Sequence, residues 1–446
     1  MENRTRISRR TLIRRAAVAG IVSPLVIPGS ALGMDETTAP SERLTLGAIG
    51  TGGMGRGDMK NFLGFSDVQV VAVCDVDANN LGNAAGIVNG RYGNEDVMKT
   101  GDFREVVARE DIDLCLVGTP DHWHALCTIA ALKGGKHVYC EKPLGNSVGE
   151  SRAMRDASKA TGKIVQCGSH ERSNPRCRFA CELVRNGYIG KLKTLQINLP
   201  TDQGHHQKVK DTTQMHAAKE VPDQLDYDFW LGHTPAIPYI PERVHFWWRF
   251  VLAYGGGEMT DRGAHVIDIG QLGADKDATC PVRYEAKGWD SDNGIYDVCM
   301  EYEFSCEYAD GLKMVGSSAK NKRGVKFIGE DGWIFVAIHG GATEASDPKL
   351  LTLDPSTFDV QLGRSPSLGE HHRDHARNFV DCVKSGDEPM ATAEIGHRSA
   401  TICHLLNLGM KLGRPLQFDP KKEEIVGDDE AAGMLTPKMR APWSLG

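Results

Sequence analysis

Gly50-Thr51-Gly52-Gly53-Met54-Gly55 follows a short apolar run and has the spacing at which a backbone turn cradles a pyrophosphate. In such a turn Gly50 permits the tight bend, Gly52 lets the backbone approach the phosphates, and Gly55 lets helix and strand pack closely. The phosphates then rest on free N–H groups at the positive end of the helix. Asp75 stands 25 residues after Gly50, at the end of a second apolar run, where a carboxylate can bind a ribose 2′-hydroxyl. Asp77 follows and no basic residue stands beside them, so a 2′-phosphate would be repelled and NAD is expected rather than NADP. Two further places offer proton chemistry. Lys142 lies between Glu141 and Pro143 just past an apolar run, where an ammonium could hydrogen-bond a reacting oxygen and lower the pKa of a neighbour. Asp261 and His265 are four apart, so on one helix they share a face; imidazole suits proton abstraction near neutral pH, and a carboxylate within reach orients the ring. Each has a plainer reading. Lysines are mostly solvated, and Thr260-Asp261 reads equally as a helix N-cap ahead of a buried histidine.

Apolar runs at 44–49, 68–74, 113–117, 136–139 and 164–167 read as strands, alternating with helical stretches at 59–63, 125–132 and 149–159. That alternation predicts an α/β fold with a parallel, doubly wound sheet. Ligands bind beyond the carboxyl ends of such strands, so Thr119-Pro120-Asp121 and Glu141-Lys142-Pro143 fall where a nicotinamide would lie. Trp123 and His124 are expected in the same pocket. In the second half, runs at 192–199, 284–288, 298–304, 311–316, 325–328 and 333–338 are short and separated by glycine and acidic turns, the pattern of antiparallel strands. Helices are predicted near 375–383 and 393–412, with a tail from 417 to 446 wrapping the surface.

Glu141-Lys142-Pro143, placed after Gly118-Thr119-Pro120-Asp121-His122-Trp123-His124, resembles the Gfo/Idh/MocA oxidoreductases, named for glucose-fructose oxidoreductase and inositol dehydrogenase. The resemblance continues through Gln166-Cys167-Gly168 and the stretch from Gly255 to Asp268, and spans residues 43–415 in order. It implies an N-terminal NAD-binding Rossmann domain (34–168). An α/β domain with an open, mostly antiparallel sheet would follow (169–446), its face often supporting homo-oligomers. It implies further that His265 is the base, with Asp261 and Lys142 as partners. Cofactor contacts would come from Gly50, Gly52, Gly53, Met54, Gly55, Asp75, Thr119, Pro120, Asp121, Trp123, His124, Glu141 and Lys142. Arg172, Tyr239, His245 and Arg249 are expected on the substrate side, with Trp247 and Trp248 beside them, because rings and polar forks suit sugar faces and hydroxyls. Asp268 is divided between a structural and a site role. The expected activity is hydride transfer between nicotinamide and a secondary alcohol of a carbohydrate or polyol. Some relatives instead use transient oxidation to cleave or epimerise glycosides; they carry His-Gly-Leu-Gly-Pro where this chain has Asp-Arg-Gly-Ala-His. A non-catalytic dinucleotide sensor is a third reading, disfavoured by Lys142, Asp261 and His265 occurring together.

Residues 1–33 read as a targeting segment rather than fold. Six arginines and no acid between Arg4 and Arg15 precede an apolar stretch broken by Pro24 and Pro28, too short to span a bilayer. Ser8-Arg9-Arg10-Thr11-Leu12-Ile13-Arg14 resembles the twin-arginine export motif, which predicts the export machinery as a partner and a periplasmic destination. There NAD would have to be carried across tightly bound. Removal of 1–33 takes the formal charge from −7 to −12, an acidic balance that excludes a general nucleic-acid binder. Most of the twelve cysteines sit in apolar runs without a CxxC pair, so buried free thiols are expected, Cys177 and Cys181 included. His205-His206 and His371-His372-x-x-His375 lack an accompanying ligand set, so no metal is predicted.

Overall fold

Strand β1 (Leu44–Ile49) is apolar throughout its buried half and ends at Gly50. With β2 (Val68–Cys74), β3 (Met98–Thr100), β4 (Leu114–Val117), β5 (His137–Cys140) and β6 (Val165–Cys167) it forms a parallel sheet of order β3-β2-β1-β4-β5-β6. The computed structural model describes residues 38–212, 217–289, 294–363 and 369–446, so the expected targeting segment lies outside the described residues. An N-terminal unit ends at Arg43 and includes the turn Pro40–Glu42; the rest of the fold is the unit Leu44–Gly446.

A sheet covered on both faces needs strands that are apolar on both sides, which is why β1 and β2 coincide with the runs at 44–49 and 68–74. Strand β3 is three residues long and carries no such signal. The helix Ala78–Tyr92 is likewise absent from the expectation, since its sequence is rich in asparagine and glycine. It forms because Asp77 caps it, accepting from the N–H groups of Asn79 and Asn80, and it stops at Gly93 in a left-handed conformation. Strand order reverses between β1 and β4, and the loops at their carboxyl ends, Gly50–Gly53 and Gly118–Pro120, open into one crevice.

The second sheet has the order β13-β12-β11-β7-β10-β9-β8-β14-β15. It comprises β7 (Leu192–Asn198), β8 (Arg283–Trp289), β9 (Glu301–Glu307), β10 (Lys313–Ser317), β11 (Gly324–Gly329), β12 (Trp333–Ala337), β13 (Thr343–Ala345), β14 (Leu416–Asp419) and β15 (Glu424–Ile425). Among the described residues of this sheet only the β7–β10 pairing is parallel. Side chains alternate: Tyr284 and Ala286 of β8 are buried, while Arg283, Glu285 and Lys287 face out. The inner face packs against the helices Pro175–Arg185, Gly263–Gly273 and Ala393–Leu412 in one apolar cluster that includes Leu195, Ile197, Ile267, Phe327, Ile402 and Leu405. All twelve cysteines are free; eleven are buried and Cys299 is partly so. No helix of the described residues is long and apolar enough to cross a membrane.

Candidate active site

A cavity of about 650 Å³ runs from the glycine turn after β1 to the carboxyl ends of β5 and β6. At its first end the wall is backbone. Gly50 has φ +79°, and a Cβ there would lie 2.5 Å from the Thr119 nitrogen; a Cβ on Gly55 would lie 2.0 Å from the Gly50 carbonyl oxygen. Both positions therefore exclude a side chain for packing reasons. Gly52 and Gly53 differ, since nothing lies within 4 Å of a Cβ at either, and both line the cavity ahead of the helix Gly53–Leu63. This open cradle at a helix start fits the pyrophosphate of a dinucleotide. Asp75 accepts from Thr51 N (2.8 Å), Thr51 Oγ1 (3.2 Å) and Asp77 N (2.9 Å), which ties the acid after β2 to the turn after β1. Burial raises its pKa, and it borders the cavity as a ribose-binding acid would.

At the other end the wall is made of charged side chains. Lys142 Nζ donates to Asp261 Oδ1 (2.8 Å) and to the Asp261 carbonyl oxygen (2.7 Å). The second bond shapes the chain. In a continuous helix that carbonyl would accept from His265 N–H; instead His265 N–H turns to the Arg262 carbonyl (3.1 Å), and the helix breaks between Gly257–Asp261 and Gly263–Gly273. Asp261 and His265 thus belong to two helices, which corrects the expectation of one shared face. The Asp261 carboxylate is turned to Lys142 and, at 3.5 Å, to Arg249 Nε. Burial opposes its charge, but Lys142 and Arg249 outweigh burial and hold its pKa far below the usual range. Burial also opposes the Lys142 ammonium, yet Asp261 and Glu141 raise its pKa, so the pair is ionised. Two of the three ammonium N–H groups serve Asp261, leaving one for a bound oxygen. Burial, then the charge of Lys142, pushes the His265 pKa far down, so its ring is neutral, and its Nδ1 is buried without a hydrogen-bond partner. Beneath Lys142, burial raises the pKa values of Asp58 and Glu141, and burial does the same for Asp121 at the cavity wall.

Two family models cover the chain. Residues 44–169 match "Oxidoreductase family, NAD-binding Rossmann fold", and residues 176–445 match "Oxidoreductase family, C-terminal alpha/beta domain". The chain belongs to the Gfo/Idh/MocA oxidoreductase family. Among curated relatives, a glycosyl hydrolase family 109 protein of Solibacter usitatus is 32% identical over 198 residues, covering 42% of this chain and 44% of that protein. A levoglucosan dehydrogenase of Pseudarthrobacter phenanthrenivorans is 32% identical over 155 residues, covering 34% and 39%. The chain thus spans less than half the length of these relatives. Among solved structures, an aldose-aldose oxidoreductase from Caulobacter crescentus, complexed with glycerol, superposes with TM-score 0.60 at 20% identity, covering 84% of this chain and all of that one. This last likeness is one of fold.

With the family established, NAD is the cofactor of the Rossmann portion, and the cavity gathers most of the residues read from sequence. Gly50, Gly52, Gly53, Met54, Asp75, Thr119, Pro120, Asp121, Trp123, His124, Glu141 and Lys142 line it, together with His245, Trp248, Arg249, Asp261 and His265. Gly55 lies behind the turn, in packing. His124 does a positioning job as well: its ring nitrogens lie 2.8 Å from the Pro143 carbonyl oxygen and 3.0 Å from that of Thr119, bracing two strand-end loops. Trp123 is held by its Nε1–H on the Trp230 carbonyl and packs between Phe229 and the tail residue Trp443.

Arg172 and Tyr239 do not join the substrate side. The Arg172 guanidinium, 2% exposed, is held by Asp268 (2.7 and 2.9 Å) and Asp277 (2.9 and 2.7 Å), with Ser399 donating to Asp268. The same contacts settle Asp268 as structural. Tyr239 packs edge-on to Tyr227 in an aromatic cluster and does not itself line the cavity. Trp247 packs on Phe246 and Phe250 at the edge of that cluster. His205 and His206 pair with Glu258 and Glu301, and His375 is buried between Ser173 and the Cys167 carbonyl. Sequence reasoning missed His170 and His339, which line the cavity beside His265. A strand-end signal existed for His170, three residues beyond β6; none existed for His339, in the loop after β12.

Proposed function

We propose that this protein oxidises a secondary alcohol of a carbohydrate or polyol, passing hydride to C4 of the nicotinamide of NAD. The observation that carries this reading is the single cavity joining the Gly50–Gly53 cradle and Asp75 to Lys142, Asp261 and His265. The relative named levoglucosan dehydrogenase supports the substrate class. Bound NAD supplies the hydride acceptor. The chain supplies the rest: Asp261 holds the Lys142 ammonium, whose free N–H hydrogen-bonds the substrate oxygen and stabilises its developing charge. The neutral imidazole of His265 accepts the hydroxyl proton. Trp248 and Phe246, both packed on the Arg249 guanidinium, offer ring faces to the sugar.

Denaturing the purified protein should release NAD or NADH, and mixing the protein with polyols should change NADH absorbance. His265→Asn should keep NADH binding while turnover falls by about 10²–10⁴-fold. Normal turnover with earlier melting would make these residues structural. A second reading, redox-neutral cleavage of a glycoside with NAD regenerated in each turn, is favoured by the relatives named for glycosyl hydrolase family 109. It requires NADH to form in a single turnover and vanish again, with a released sugar and no net oxidation. The pattern Ser8–Arg14 supports export, and Arg9→Lys with Arg10→Lys should then leave folded protein in the cytoplasm.

A further inference from the structure

We infer that His170, His265 and His339 form a binding site for one divalent transition-metal ion of the zinc class at the Lys142 end of the cavity. Each of the three offers a ligand nitrogen, and these nitrogens lie within 4.8 Å of one another. Their ring centres are 4.5, 4.9 and 5.9 Å apart. Imidazoles bound to one tetrahedral ion at about 2.0–2.1 Å have ring centres roughly 5 Å apart, so modest side-chain rotation closes the site. A second trio, His170, His371 and His372, has nitrogens as close, but His372 is stacked on His170 at 3.5 Å between centres, too near for two rings to converge on one ion. It reads as support behind the site.

Independent features point to a ligand there. His170 and His265 are 3% and 2% exposed, and Nδ1 of each is buried with no hydrogen-bond partner. Buried polar atoms are ordinarily paired, so two orphaned ring nitrogens on residues lining one cavity call for a guest. His339 is a non-glycine residue at φ +60°, a sparsely populated conformation held by its N–H on Glu171 Oε1 (3.1 Å). That carboxylate, 1% exposed, also lies 3.7 Å from His371 Nε2 and 4.0 Å from His339 Nε2, placed as an anion that offsets the ion's charge.

Three nitrogens leave a fourth position open to the cavity for water. A resident ion takes the basic lone pair of His265. His265 can then no longer accept the hydroxyl proton of the alcohol, so a loaded site and turnover exclude one another. This last step rests on the oxidoreductase reading; the binding does not.

Tag-free protein, stripped with a chelator and titrated with Co²⁺ or Zn²⁺, should bind one equivalent and give the visible spectrum of four-coordinate cobalt. His170→Gln and His339→Asn should each weaken binding by tenfold or more, and asparagine tolerates the His339 backbone. His137→Gln, on β5, should bind as the parent does. No saturable binding, or binding unchanged in His339→Asn, overturns the inference. If the ion-loaded enzyme oxidises polyols as fast as the stripped one, the ion does not hold His265 and that assignment is overturned, while the oxidoreductase reading stands.

Discussion

At its dinucleotide end the cavity is walled by main chain, Gly50, Gly52 and Gly53 in one continuous turn; at its far end it is walled by side chains drawn from Lys142, His170, Arg249, Asp261, His265 and His339. The glycine turn carries no charge of its own, its shape follows from missing Cβ atoms, and Asp75 is the acid beside it. The far wall is densely ionisable, and its charges are set by burial and by one another, as Lys142 and Asp261 show. A backbone wall binds what every dinucleotide shares, whereas a side-chain wall can be specific to a reaction. Changes at the two ends should therefore fail differently, one in affinity and the other in turnover.

The largest effect should come from Lys142→Met, which keeps the apolar stem and removes the ammonium. Turnover should drop about 10²–10⁴-fold with NADH affinity held, measured by steady-state rates and fluorescence titration. If affinity and turnover fell together, the two walls would not be separable. Arg172→Met should cost about 3–5 kcal/mol in denaturant unfolding, because it strands the buried Asp268 carboxylate. Loss of substrate affinity at unchanged stability would return Arg172 to the substrate side.

Acid should expose the side-chain wall's supports. Burial first of all lowers the pKa values of His124 and His375 to about 4, against about 6.5 in the unfolded chain. Below pH 6.5 the unfolded chain binds the extra protons, so stability is full above about 6.5 and lost as pH falls toward 4. Each group contributes about 1.4 kcal/mol per pH unit in that window. A Tm that stays level from pH 7 to 4 would show that these rings are not buried neutral.

The backbone wall separates its own glycines. Gly52→Ala should leave Tm unchanged and weaken NADH binding about tenfold, since its Cβ meets only the space left for the phosphates. Gly55→Ala should instead destabilise the fold by about 1–3 kcal/mol, its Cβ running into the Gly50 carbonyl. Equal effects on both would erase the distinction between a packing glycine and a cradle glycine. The smallest change expected is in cofactor choice. Arg56 Nη1 already sits on the Thr51 carbonyl and near Asn80 Oδ1, so Asp75→Ser alone should shift preference toward NADP by a few-fold to about tenfold. An unchanged ratio of affinities would mean Asp75 serves the turn and not the ribose.

The sequence by itself determined the dinucleotide end. Its signals are local: glycines at fixed offsets, strands apolar on both faces, and an acid at the next strand end, all set by backbone sterics within 26 residues from Gly50 to Asp75. The parallel sheet, the alternating strands of the second sheet and the helix Ala393–Leu412 were legible for the same reason. Tertiary structure alone decided which polar residues face the cavity. Arg172 looked like a substrate residue until Asp268, 96 positions away, met it in the core, and His339 lines the site with its backbone N–H held by Glu171. The break between Asp261 and His265 likewise depends on Lys142, 119 residues upstream, taking a carbonyl that helix periodicity assigns elsewhere. Burial and charge pairing are set by partners far along the chain, and no local pattern encodes them.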